Sequence, residues 1–158
     1  MQVETIYSPW TLPELRRAIS PSRLRRYESL ANGDGALAVQ LYHWNTALSE
    51  SLHGPLQGLE ITLRNAVNER LIFNRAPPSL LRETVHQQLN RARQLRNRVA
   101  HHEPTLHLKL ADEYCSILSM IQWLCLATAL YTARQSQFQS VLENRPERTT
   151  LRDARVPG

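Results

Sequence analysis

The sequence predicts an all-α chain, a bundle of four to five long helices preceded by shorter ones. Apolar residues recur at helical spacing: Val85, Leu89, Ala92 and Val99 are separated by steps of four, three and seven. No segment shows the alternating β-branched pattern of a strand, and there is no internal repeat. Helix start and stop signals punctuate the chain at helix-length intervals. With 158 residues, 42% of them apolar, the chain can bury one sizeable core and is expected to form one domain.

The elements follow in order. Thr11-Leu12-Pro13-Glu14 has the form of a capping box, with Pro13 in the first turn, where its missing N–H costs nothing. That short helix ends near Ser20-Pro21, and a second runs from there to about Ala31. Gly33-Asp34-Gly35 reads as a turn. A long helical stretch begins at Ala36, is broken or kinked at Gly54-Pro55, and resumes to about Phe73. Pro77-Pro78-Ser79 separates it from the next helix, with Ser79 as N-cap, and that helix should end before Pro104. The last strong helix spans about Leu108 to Ala133. From Gln135 to Gly158 apolar residues thin out and charges of both signs accumulate. The domain is therefore expected over 1–134, with its core at about 36–134 and a mobile or loosely docked tail over 135–158.

Tyr114 to Tyr131 carries no charge over 18 residues, close to the length of a membrane span. Ser116, Ser119, Gln122 and Thr128 interrupt it and no basic cluster flanks it, so the expectation is a helix buried in a bundle or dimer interface, with no membrane. The N-terminus lacks a basic region followed by an apolar run, so no signal peptide is expected. Cys115 and Cys125, ten apart on different helical faces, read as buried thiols in a reducing, cytoplasmic setting. The net charge of +5 and pI near 9.8 favour a polyanionic partner. Lys109 is the only lysine, and the arginine bias suits RNA because a guanidinium grips phosphate in a bidentate fork. A GC-rich coding sequence would give the same bias.

Arg96-Asn97-Arg98-Val99-Ala100-His101, running into His102-Glu103-Pro104, breaks the pattern of the helix that carries it. Arg96 falls on the apolar stripe, four after Ala92 and three before Val99. A guanidinium on a buried face needs an anion, either a carboxylate or a phosphate. A second polar insertion lies upstream, where Leu56, Leu59, Leu63 and Val67 mark a buried stripe and Glu60 sits between Leu56 and Leu63. Glu60 and Arg64 are four apart, in the favourable order for a helical ion pair. Two helices thus each carry an Arg-Asn dipeptide, Arg64-Asn65 and Arg96-Asn97. Glu60 is expected to reach both guanidinium groups in a buried network, which either fixes helix register alone or orients a functional Arg96.

The other singular residues have plainer readings. His43, His53, His86 and His107 are scattered and read as surface or satisfied core residues, so no metal or cofactor is expected. Trp10, Trp44 and Trp123 read as packing residues. Arg16, Arg17, Arg23, Arg25 and Arg26 read as the solvated faces of two short helices, whereas Arg91, Arg93 and Arg98 flank the polar motif and are candidate RNA contacts.

Arg96-Asn97-x-x-x-His101 matches the Arg-x4–6-His motif of HEPN domains, the helical ribonuclease modules of toxin–antitoxin, phage-defence and CRISPR systems. The wider run Leu95-Arg96-Asn97-Arg98-Val99-Ala100-His101-His102-Glu103-Pro104 resembles the Abi-like (abortive-infection) branch. So does Pro55-Leu56-Gln57-Gly58-Leu59-Glu60-Ile61-Thr62-Leu63-Arg64-Asn65-Ala66-Val67. The resemblance covers about Ala36 to Ala133. It implies a bundle that forms a homodimer and brings two Arg/His motifs over one cleft, where RNA is cut without a metal. His101 would move a proton at the ribose 2′-OH or the leaving 5′-oxygen, Arg96 would hold the phosphate, and Asn97 would orient either group. Glu60, Arg64, Asn65 and His102 would support them, and His102 also satisfies the spacing from Arg96. Glu103 stands where some HEPN toxins carry a Tyr to which a partner enzyme attaches a nucleotide, so that mode of neutralisation is not expected. The implied role is abortive infection, phage defence or a toxin, with an antitoxin or regulatory RNA as a possible partner. The alternatives are an inactive HEPN-like module that binds RNA or protein, and a helical scaffold with neither activity.

Overall fold

The computed structural model describes residues 11–68, 76–77 and 82–147. These residues are all-α, with seven helices and no strand among them: α1 (Thr11–Ile19), α2 (Pro21–Leu30), α3 (Gly35–Asn68), α4 (Arg82–Ala100), α5 (Leu110–Leu124), α6 (Leu126–Gln135) and α7 (Phe138–Glu143). Trp10, Phe73, Ser79 as an N-cap, and the chain beyond 147 lie outside the described residues. The chain divides into two compact units, one reaching to Trp44 and resumed at Arg145, the other running from Asn45 to Asn144.

In the first unit, Ser20 turns the chain between α1 and α2 at φ 80. Leu24 and Tyr27 of α2 are buried, as are Ala38, Val39 and Leu41 of α3. The Tyr27 ring meets Tyr42 edge-on at 5.6 Å. Burial, with Tyr42 adding to it and Arg26 opposing it, pushes the Tyr27 hydroxyl up to about 12. Arg16 pairs with Glu28 and ties α1 to α2. Asp34 Oδ1 accepts the N–H groups of Ala36 and Leu37, each at 3.0 Å, and so caps the start of α3. Arg145 lies over the Trp44 ring at 5.5 Å.

In the second unit, α3 passes through Gly54-Pro55 without the expected break. Pro55 removes one ladder donor, but Leu48, Leu52, Leu56 and Leu59 are buried on both sides of it, and burial of that stripe holds the helix together. The expected single helix over 108–133 is in fact two. Cys125 is extended (φ −154, ψ 109), its N–H donating to Ile121 O at 2.7 Å as α5 closes. Nor is the apolar circumference buried throughout: α5 buries six residues, but Leu130 and Tyr131 of α6 are 63% and 67% exposed. At Gly58 a Cβ would lie 3.1 Å from Thr132 Oγ1, so the absence of a side chain lets α6 approach α3. The expected loose tail does not begin at 135. Phe138 is fully buried, its ring stacked on Tyr114 at 4.5 Å, which docks α7. Among the described residues no helix is long and apolar enough to cross a membrane.

Candidate functional site

The polar motif occupies the last turn of α4 and the residues after it. The buried stripe of α4 is Ala92, Leu95 and Val99. Leu95 turns that stripe away from Arg96, which sits at its rim and is exposed, correcting the buried position expected for it. Arg96 Nη1 donates to Asn97 Oδ1 at 3.4 Å, and Asn97 is also exposed. Glu60 is exposed too, and it pairs with Arg64 at 3.2 Å across one helical turn. Among the described residues no ion pair joins Glu60 to Arg96. The expected buried network is therefore absent. Glu60, Arg93 and Arg96 instead line an open groove of about 230 Å³ whose floor includes Leu56, Leu59, Leu63 and Leu89.

The flanking arginines do not form one patch. Arg93 shares the groove with Arg96 and donates to Asn90 Oδ1 at 2.9 Å. Arg91 and Arg98, seven apart, lie on a different side of α4, and Arg98 is paired with Glu103 at 3.2 Å. Asn65 is exposed near the end of α3.

Two hydrogen bonds close α4. Glu103 N–H donates to Arg98 O at 2.9 Å, and His102 N–H donates to Val99 O at 3.2 Å. This is the Schellman arrangement, with His102 at the left-handed position that glycine most often fills. Its φ is 54. His101, the C-cap, is exposed and lines neither the groove of Arg96 nor the cavity that His102 faces. His102 faces a cavity of about 430 Å³ that it shares with Ser49, Glu50 and His53 of α3. The motif thus splits: Arg96 opens on one groove and His102 on another.

The segment after His102 is anchored by a residue that the sequence reading passes over. Asn45 is 4% exposed, and its Oδ1 accepts both the backbone N–H and the hydroxyl of fully buried Thr105, at 2.8 and 2.9 Å. The signal was present in the sequence: an amide at the spacing of Leu41, Leu48 and Leu52, on a buried stripe where it needs a partner. A larger cavity, about 590 Å³, is lined by Gly54, Gly58, Ile61 and Tyr131, but among the described residues Glu50 is the only charged one lining it, so size alone does not mark the chemistry.

Of the remaining candidates, His53 lines the cavity that His102 faces. His43, His53, His86 and His107 are all exposed, and Trp44 and Trp123 are half-buried. Cys115 is exposed and Cys125 half-buried, which corrects the reading of both as buried thiols. Among the described residues no three His, Cys, Asp or Glu side chains converge as metal ligands. No family model, curated protein or solved structure matches the chain.

Proposed function

We propose that this chain is a metal-independent endoribonuclease of HEPN-like fold, acting in abortive infection or as a toxin, that cuts RNA by attack of the substrate's own 2′-OH. The supporting observation is that Arg96, Asn97 and His101 all carry exposed side chains at one helix end. A structural guanidinium would be paired with a buried carboxylate, and Glu60 is spent instead on Arg64 at the surface. Arg96 then holds the phosphate, in a position fixed partly by its bond to Asn97. His101 takes the proton from the 2′-OH, a task imidazole suits because it titrates near neutral pH. Arg93, on the same groove, extends the cationic edge toward the RNA backbone. The motifs of two subunits meet over one cleft in a homodimer.

A second reading, an inactive module that binds RNA or protein, draws on one observation: His101 and Arg96 share neither cavity beside α4 in a single chain. The two readings separate on substrate chemistry. The first predicts that RNA is cut and that DNA of the same sequence, which lacks the attacking hydroxyl, resists. It also predicts that Arg96→Ala and His101→Ala each remove most of the activity from a folded dimer. Tight RNA binding with no cleavage by the wild type would select the second.

A further inference from the structure

Cleavage by a 2′-OH moves two protons, one off the nucleophile and one onto the leaving 5′-oxygen, and His101 accounts only for the first. The cavity beside the end of α4 presents groups suited to the second. Its volume, about 430 Å³, falls in the range of small-molecule sites, and Glu50, His53 and His102 all line it. Glu50 and His53 are three apart on α3, so they share a face, and both side chains line the cavity. His102 enters from the turn that follows α4. It follows His101 directly, so the two imidazoles spring from Cα atoms about 3.8 Å apart. Its backbone is held in the left-handed region at φ 54 by the bonds that close α4. Here the Asn45–Thr105 bonds anchor the segment that follows.

We propose that this cavity is the general-acid side of the ribonuclease, with His102 as the acid and with His53 and Glu50 as positioning residues. The inference rests on the ribonuclease reading above. As the 2′-oxygen bonds to phosphorus, its proton passes to His101. As the bond from phosphorus to the 5′-oxygen breaks, the His102 imidazolium gives that oxygen its proton. The products are a 2′,3′-cyclic phosphate and a 5′-hydroxyl, and exchange with water returns the proton from His101 to His102.

The test uses the full chain and one oligonucleotide in two forms, each with a single ribonucleotide at a position the wild type cuts. The first form has the normal 5′-oxygen leaving group. The second carries a bridging sulfur there, and its thiolate departs without needing a proton. His102→Gly is the informative variant because glycine suits the backbone at that position, so the helix end survives. Its expected loss is about 100-fold or more on the oxygen substrate and within about threefold on the sulfur substrate. His53→Ala should shift the two rates in the same unequal way, and His101→Ala should slow both. Equal losses on the two substrates, or no loss in His102→Gly, would overturn the general-acid assignment and leave the ribonuclease reading intact. A wild type that cuts no RNA would overturn both.

Discussion

Helices α2 and α4 stop by the same device and place different side chains at the turn. In α2, Gly33 N–H reaches back to Glu28 O at 3.0 Å and Asn32 N–H to Ser29 O at 3.3 Å. In α4 the corresponding bonds run from Glu103 to Arg98 and from His102 to Val99. The left-handed residues have nearly equal φ, 51 at Asn32 and 54 at His102. After Asn32 the chain is occupied with building the next helix, since Asp34 caps α3. Around His102 it displays polar groups: Arg96, Asn97 and both histidines are exposed, and Arg98 pairs with Glu103. One backbone solution thus serves a connection in the first unit and a presentation of imidazoles in the second. The difference lies in the side chains and in what holds the turn from behind.

That contrast can be broken most severely at Asn45. Asn45→Ala leaves two buried donors of Thr105 without their acceptor and should cost about 3 kcal/mol in urea unfolding. Amide exchange should then rise at Glu103 far more than at Gly33, because only the α4 end depends on that clamp. Uniform exchange at both ends would show that the clamp does not hold the turn. A smaller effect of opposite sign is expected at the left-handed positions themselves. His102→Gly should raise stability by about 1 kcal/mol in thermal unfolding, and Asn32→Gly by less, since asparagine tolerates this region better. A destabilised His102→Gly would mean that the imidazole has a packing role.

Glu60 offers the next test. With half of its side chain exposed and Arg64 as its partner, Glu60→Ala should cost less than about 0.5 kcal/mol. A loss near 3 kcal/mol would restore the buried network that the sequence suggested. The last test is confined to alkaline pH and concerns Tyr27, whose hydroxyl is raised to about 12 in the fold against 10.0 as its ordinary value. Its contribution is fully present below pH 10 and falls away as pH rises toward 12, where the folded hydroxyl ionises as well. Tyr27→Phe should flatten that part of the stability profile.

What the sequence revealed depended on how local the cause was. The breaks at Ser20-Pro21 and around Gly33 and the end of α4 before Pro104 are legible, because proline, glycine and capping groups act within a turn. The break at Cys125 is not, since no proline or glycine marks it, and α3 runs through Pro55 because burial on both sides outweighs one lost bond. Arg96 is misplaced by a stripe drawn without Leu95, the residue beside it, which is 2% exposed. The exposed motif itself is readable as a run of residue types. Its division between two grooves is not, because His53 and Glu60 meet α4 only through tertiary packing.

The central claim is that the α4 motif performs chemistry on RNA, and the ends of the products test it most directly. Purified protein and total RNA are incubated in EDTA, and the termini are compared for wild type and His101→Ala. The account predicts fragments with 2′,3′-cyclic phosphate and 5′-hydroxyl ends from the wild type and few from the variant. Cleavage that requires magnesium, products with 5′-phosphate ends, or equal activity in the two proteins would contradict it.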